Sequence, residues 1–312
     1  ATRVNENGLI EEVASNVPRL DYSDGGCPSL LLEPSRLQKI QYSEDFSQGY
    51  WTKLEVSVNP NNAISPNGTL NADAIIESTT SNGNHRVLPA TPFSSIGGSN
   101  YSFSVYVKKK GDTRHIFWMC QNGGNAIYAH FNMDSYSVSQ VSSNGNGSNA
   151  NASITPVGND WYRISLSGIV STGNDALYNQ FYLSDTVGSG FSSTSYTGDG
   201  VSGFYLWGWQ VEQGSFPTSY IPNYGTTYGI TRSAETANGA GDASTFNSEG
   251  VLYFEGTSSA EGENRQLGIS DGSSSDRAII TLRPDNETIR FYYEGTTGGA
   301  VQIDSAGHNF NN

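Results

Sequence analysis

The chain has 312 residues, with 16 Lys and Arg against 30 Asp and Glu, so its formal net charge is −14. This charge repels the phosphates of nucleic acids and anionic membrane surfaces, and it argues against both as partners. No stretch resembles a membrane span or the apolar core of a signal peptide. Glycine and aromatic residues are abundant, and short apolar alternations separated by Gly, Asn and Ser predict an all-β protein.

The first 36 residues predict a connector or the end of an upstream domain. The Asn7-Gly8 pair supplies a tight hairpin turn between two short strands, and 30–32 predicts a short buried strand. Cys27 lies in a turn and Cys120 at the end of an apolar strand. Their surroundings favour free thiols, and a disulfide between them is the alternative.

Residues 37–222 predict an antiparallel jelly-roll β-sandwich, because many short strands follow one another without helical periodicity. In the strand 100–110, Tyr101, Phe103, Val105 and Val107 share one face and predict core, while the alternate face predicts solvent or ligand. The polar stretch 142–153 predicts an exposed hairpin loop. The main predicted strands are 54–59, 71–79, 100–110, 114–121, 126–133, 161–170, 177–184 and 204–212.

The stretch 203–235 predicts the last central strand of this sandwich and the exit from it. Period-two alternation places Trp207 and Trp209 on one face of that strand, which favours core over a ligand platform for both. Prolines then punctuate an extended segment, and 223–245 predicts a linker. Residues 246–312 predict the start of a second β-sandwich, incomplete with five strands, at 251–256, 265–270, 277–283, 288–295 and 300–304.

Several segments taken in order carry a resemblance. They are YSEDFSQGYWTK (42–53), ISPNGTLNADAIIEST (64–79), YSFSVYVKKKG (101–111), FNMDSYSV (131–138), NDWYRISLSG (159–168) and the run from 206 to 235. Together they resemble the carbohydrate-binding-module-like jelly roll of bacteriophage head spikes, head fibres and tail fibres. The segment FNSEGVLYFEGTSS (246–259) is similar to the first strands of a concanavalin-like or laminin-G-like lectin sandwich. The resemblance covers nearly the whole chain.

The resemblance implies a fibre, spike or decoration subunit on the virion surface, where it would attach to a host-surface glycan. Its implied partners are other virion proteins and copies of itself, in a homo-oligomer such as a trimer. It implies no cofactor, with a structural calcium ion as an option at oxygen-rich turns such as 42–45, Asp73 and 198–200. Because such modules also occur in secreted enzymes and adhesins, two alternatives stay open. One is a targeting module of a polysaccharide-degrading enzyme, and the other is a structural spacer without a ligand.

Sugar binding needs an aromatic face with amide or carboxylate groups beside it. Alternation predicts that Tyr128 and His130 point outward, opposite an apolar face that includes Ile127 and Phe131. Trp51, Trp161 and Trp207 predict core. The carbohydrate-binding candidates are Trp118, Tyr128, His130, Gln180, Tyr182, Trp209 and Gln210.

The sequence predicts no enzyme activity and no metal site. Carboxylates occur mostly singly in turns, and the closer pairs Glu11-Glu12 and Glu261-Glu263 lie beside turns, where solvated carboxylates are expected. The four histidines, at 85, 115, 130 and 308, have no metal-ligand or catalytic-triad spacing, and no nucleophile elbow or calcium-loop pattern occurs.

Overall fold

The computed structural model describes residues 1–111, 114–188, 194–237, 252–256, 264–270, 276–295 and 298–308. The chain divides into two compact units, Ala1–Asn238 and Gly239–Asn312. The described residues form antiparallel strands and one short 3-10 helix, which confirms the all-β prediction. None of their helices has the length and hydropathy of a membrane span.

The first unit contains twenty-one described strands. In chain order they are β1 (Thr2–Val4), β2 (Ile10–Glu12), β3 (Leu20–Asp21), β4 (Ser29–Leu30), β5 (Arg36–Gln38), β6 (Trp51–Leu54), β7 (Val56–Ile64), β8 (Leu70–Glu77), β9 (Gly83–Asn84), β10 (Arg86–Pro89), β11 (Phe93–Ser94), β12 (Asn100–Lys110), β13 (His115–Asn122), β14 (Asn125–Asn132), β15 (Ser137–Asn144), β16 (Ser148–Gly158), β17 (Trp161–Ile169), β18 (Ala176–Ser184), β19 (Ser195–Tyr196), β20 (Gly203–Gln213) and β21 (Ile230–Arg232).

Two large sheets form a jelly-roll β-sandwich. Sheet I has the strand order β15-β14-β13-β18-β10-β6, with β11 also paired to β18, and sheet II has the order β16-β17-β12-β20-β8-β7. Their inner faces pack into one core, in which Phe103 of sheet II meets Trp118 of sheet I with ring centroids 6.5 Å apart. The predicted inner face of β12 is confirmed, because Tyr101, Phe103, Val105 and Val107 are all buried there.

A β-bulge in β20 changes which face its tryptophans occupy. Ser104 lies opposite Gln210, but Tyr106 lies opposite Trp207, so β20 has an extra residue at this point. Gly208 takes up the bulge at φ +65°. The prediction that Trp207 and Trp209 share a face is therefore wrong: Trp209 is in the sandwich core, and Trp207 is on the outer face of sheet II.

The outer face of sheet II is covered by the chain's own segments over β12 and β20, which differs from the solvent or ligand face predicted for β12. Trp207 packs there with Ile10 of the N-terminal hairpin and Tyr220 of the exit segment. Ser102 is buried and donates to the carbonyl of Phe216 at 3.0 Å. The strand stays in contact with solvent at its two ends, for example at Lys108, whose side chain is about one-third exposed.

Buried ion pairs attach the two ends of the first unit to each other. The Arg19 side chain is 2% exposed; it contacts Glu33 at 2.8 Å, pairs with Glu235 and donates to the carbonyl of Thr2 at 2.7 Å. Arg232 also pairs with Glu33, at 2.6 Å. In addition, β5 pairs with β21. Residues 1–36 and the described residues up to 237 are therefore integral parts of the first unit, although a connector and a linker were predicted there.

The polar stretch 142–153 is mostly strand, so the predicted exposed loop is wrong. The tight turn between β15 and β16 occupies only 145–147, and both strands extend on either side of it. Alternation explains the difference, because Ala150, Ala152 and Ile154 pack against the core while Asn149, Asn151 and Ser153 face solvent. Small alanine side chains are sufficient to cover the core at this edge of the sheet.

The second unit contains a four-stranded antiparallel meander, sheet III. Its strands are β22 (Arg265–Ser270), β23 (Arg277–Arg283), β24 (Thr288–Gly295) and β25 (Gly298–Ala306), with a 3-10 helix at Pro284–Asn286. Four predicted strands are confirmed. The strand predicted at 251–256 does not form over the described residues 252–256, and residue 251 lies outside them. The predicted lectin likeness of this unit stays a prediction.

Candidate functional site

The outer face of sheet I brings four of the seven predicted residues together. Alternation on β14 and β18 places Tyr128, His130, Gln180 and Tyr182 on this face, away from the sandwich core. The strand β13 runs between them, so that Phe117 lies directly opposite both His130 and Tyr182. In the next row, Met119 of β13 lies opposite both Tyr128 and Gln180.

Phe117 is the centre of this aromatic cluster. Its ring centroid lies 4.5 Å from that of His130, 5.7 Å from Tyr128 and 5.4 Å from Tyr182. The Tyr182 hydroxyl donates to Oε1 of Gln180 at 2.8 Å and accepts from Arg86, whose guanidinium carbon lies 5.2 Å from the Tyr182 ring centre. Burial raises the pKa of Tyr182, so this hydroxyl keeps its proton and remains a donor.

The side chains of the cluster are buried, and the solvent-accessible part of this face lies beside the cluster. Tyr128 is 6% exposed and Tyr182 is 5% exposed. One row further along β18, however, the Tyr178 side chain is 41% exposed on the same face. The half-buried Gln121 lies directly opposite it on β13, and Gln180 is two residues away on β18. We call Tyr178, Gln121 and Gln180 the tyrosine rim.

The structure places the other three predicted residues elsewhere, with structural contacts. Trp118 and Trp209 are fully buried between the sheets, where both indole N–H groups donate to Oδ1 of Asn179, at 3.2 and 2.9 Å. Gln210 is fully buried beneath the exit segment. Its amide donates to the carbonyls of Thr218 and Ser219, both at 3.3 Å, and accepts from the backbone N–H of Ile221 at 2.6 Å. None of these three reaches a surface.

Sequence reasoning missed four residues that the proposed site uses on this face, namely Phe117, Gln121, Tyr178 and Arg86. Tyr178 could have been found, because it lies two positions from the predicted Gln180 and shares its alternation. Phe117 and Gln121 also share one alternation on β13, but it is opposite to that of the predicted Trp118. Arg86 could not have been found, because its place beside Tyr182 depends on the pairing of β10 with β18, which alternation within one strand does not define.

The buried carboxylates lie away from this face. The cavity that contains Glu11, Glu12 and Glu44 is only about 50 Å³, far below the roughly 300 Å³ of a small-ligand site. Burial raises the pKa of Glu44, whose carboxylate accepts from the Tyr220 hydroxyl at 2.9 Å. Among the residues that the structure describes, no three His, Cys, Asp or Glu side chains could hold a metal ion. Cys27 and Cys120 are free.

Asp73 gives a pH-dependent prediction. Burial raises its pKa to about 6, although its carboxylate accepts from the backbone N–H groups of Phe46 at 2.7 Å and Asn61 at 2.8 Å. A carboxyl whose pKa is higher in the folded state stabilises the fold when protonated. We therefore expect its contribution to be complete below about pH 4 and lost by about pH 6, a change of at most about 3 kcal/mol.

Carbon-13 NMR titration of the Asp73 carboxyl measures this directly, and the expected midpoint is near 6. Denaturant unfolding of an Asp73→Asn variant at pH 4 and pH 7 supplies the control, since the stability difference from the unsubstituted protein should depend on pH in the same interval. A midpoint at or below 4 would contradict the prediction.

Comparisons with known proteins show no family for this chain. No family model matches the chain, and no curated protein matches it. One solved structure that matches contains the CBM22-1 and GH10 modules of the N-terminal endo-1,4-β-D-xylanase 10B of Clostridium thermocellum, complexed with xylohexaose. The TM-score is 0.32 and the identity 15%, and the match covers 60% of this chain and 30% of that chain. At this TM-score we transfer neither family nor ligand from it.

Proposed function

We propose that the first unit is a glycan-binding jelly roll that binds its ligand on the outer face of sheet I. The observation that supports this most strongly is the tyrosine rim, in which the exposed Tyr178 ring lies beside the amides of Gln121 and Gln180. An aromatic ring with hydrogen-bonding groups beside it is complementary to a pyranose, which has an apolar face and a ring of hydroxyls. The proposal involves no catalytic step and no cofactor.

The packed cluster beside the rim supports this role by holding it rigid. The Phe117 ring centroid lies within 5.7 Å of those of both Tyr128 and Tyr182, and the Tyr182 hydroxyl fixes the Gln180 amide at 2.8 Å. A side chain that is already held in place loses little conformational entropy when a ligand binds. In this proposal Tyr178 and Gln121 contact the sugar. Gln180, which is only 3% exposed, and the other aromatic residues position them.

We further propose that the module belongs to a fibre, spike or decoration subunit on a virion surface and attaches the particle to a host glycan. Support comes from the ordered run of sequence segments that resembles bacteriophage fibre and spike jelly rolls. Such subunits assemble with copies of themselves, so a homo-oligomer such as a trimer is part of the proposal. The net charge of −14 is compatible with an external protein that binds neither nucleic acid nor membrane.

A glycan array probed with the intact chain tests the proposal. We expect the chain to bind glycans on the array, neutral ones among them. We also expect mass spectrometry of purified virions to detect the chain. A blank array with the chain present in virions would favour a structural spacer and overturn the glycan-binding role. A bound glycan together with a catalytic domain in the same polypeptide would favour the targeting module of a polysaccharide-degrading enzyme and overturn the virion role.

A further inference from the structure

Sheet III of the second unit has two very different faces. One face is apolar and includes Leu267, Ile280, Phe291 and Ile303, which lie opposite one another in a single row across the sheet. The other face carries a groove of about 310 Å³, within the usual size range of small-ligand sites. We call it the arginine groove. Its lining includes three arginines, at 277, 283 and 290, together with Thr281 and the amides of Gln266 and Gln302.

The groove concentrates the positive charge of this unit. Residues 239–312 contain four arginines, no lysine and eleven Asp and Glu, a net charge of −7. Three of the four arginines line the groove. Two carboxylates, Glu294 and Asp304, share the face with them, so the three arginines exceed the local carboxylates by one. The groove is therefore a local cationic site in a strongly acidic unit.

The three arginines differ in how much of their hydrogen-bonding capacity is already used. Arg290 is bound by Asp304 through two contacts, at 2.7 and 3.0 Å. Arg277 lies over the Tyr292 ring at 5.1 Å, contacts Glu294 at 3.6 Å, and has a buried Nε without an acceptor. Arg283 forms no ion pair with the residues that the structure describes, and its guanidinium lies 3.3 Å from the side-chain amide of Asn286.

Arg283 and Arg290 both line the groove at the end formed by the last residues of β23. Arg290 lies directly opposite Thr281, and Arg283 follows two residues later on the same face of β23, which makes the two arginines diagonal neighbours. Two guanidinium groups at this separation can hold one carboxylate, sulfate or phosphate group. Beside them, the amides of Gln266 and Gln302 and the hydroxyl of Thr281 are donors and acceptors suited to sugar hydroxyls.

We infer that the arginine groove binds an anionic saccharide, with the anionic group held by Arg283 and Arg290 and the sugar hydroxyls by the neighbouring amides and by Thr281. This site lies in a different unit from the tyrosine rim, and it does not depend on the function proposed for that rim. Nucleic acid is the less favoured occupant. The Tyr292 ring, which could stack on a base, is covered by Arg277, and none of the other described residues that line the groove is aromatic.

Affinity measurements on the full chain test this site. The probes are heparin for sulfate, polygalacturonate for carboxylate, dextran as a neutral polymer, and poly(U) RNA as a non-saccharide polyanion. The variant is Arg283→Gln, and the matched control is Arg3→Gln, which removes the same charge from a half-buried position in the first unit, where Arg3 pairs with Glu11. We expect heparin, polygalacturonate or both to bind, Arg283→Gln to weaken that binding at least about tenfold, and Arg3→Gln to leave it unchanged.

Binding of only one of the two anionic polymers identifies the anionic group and supports the site. No binding of either one, equal binding by dextran or by poly(U), or an unchanged affinity in Arg283→Gln would overturn it. Thermal unfolding of each variant monitors folding. If Arg283→Gln does not fold, Arg277→Gln at the other end of the groove is measured instead. We expect it to weaken binding at least about threefold, and an unchanged affinity would contradict the site. A blank neutral-glycan array affects only the tyrosine rim.

Discussion

Replacing Asn179 by alanine is expected to lower the free energy of unfolding of the first unit by about 3–5 kcal/mol. The Asn179 side chain is buried in the core of the sandwich, and its Oδ1 accepts from the indoles of both Trp118 and Trp209. Alanine leaves two fully buried N–H donors unpaired, at roughly 1–3 kcal/mol each, and adds a small cavity. Urea unfolding followed by tryptophan fluorescence measures the loss.

A matched control separates this effect from a general intolerance of strand asparagines. Asn151 of β16 faces solvent, so Asn151→Ala should change the free energy of unfolding by less than about 0.5 kcal/mol. If Asn179→Ala costs less than about 1 kcal/mol, the two indoles do not depend on this amide, and our description of the core is incorrect.

Much of the sandwich could be predicted because its strands follow the simple alternation of a sheet with one buried face. In β12 the apolar set from Tyr101 to Val107 is buried as predicted, and Trp51 and Trp161 are buried as well. The same rule placed Tyr128 and His130 on the outer face of β14. In each case the pattern within one strand was sufficient.

The rest depends on backbone irregularities and on distant segments. The bulge at Gly208 reverses the alternation within β20, so the spacing of the tryptophans could not show that Trp207 and Trp209 lie on opposite faces, although both are buried as predicted. Burial of the outer face of sheet II depends on Tyr220, which lies far along the chain from Tyr106. Likewise, the role of Arg19 depends on acceptors more than 200 residues away at Glu235. No local pattern reports such contacts.

The candidate site shows the same division. The aromatic face of sheet I was predicted through Gln180 and Tyr182. Trp118 was predicted there too, but it is the neighbour of Phe117 along β13 and therefore faces the core. An odd displacement along a strand reverses the side to which a residue points. Tyr178 shares the alternation of Gln180, yet its exposure could only be learned from how the neighbouring chain covers the rest of the face.

Calorimetric titration of the array-identified glycan into Tyr178→Ala tests the central claim most directly. Tyr228→Ala is the matched control, because Tyr228 is 93% exposed in the exit segment and is not on sheet I. We expect Tyr178→Ala to weaken binding roughly tenfold to hundredfold, about 1.4–2.7 kcal/mol, since the stacking ring is lost. Tyr228→Ala should bind as the unsubstituted protein does. Equal affinity for the glycan in both variants would contradict the assignment of the tyrosine rim as the binding site.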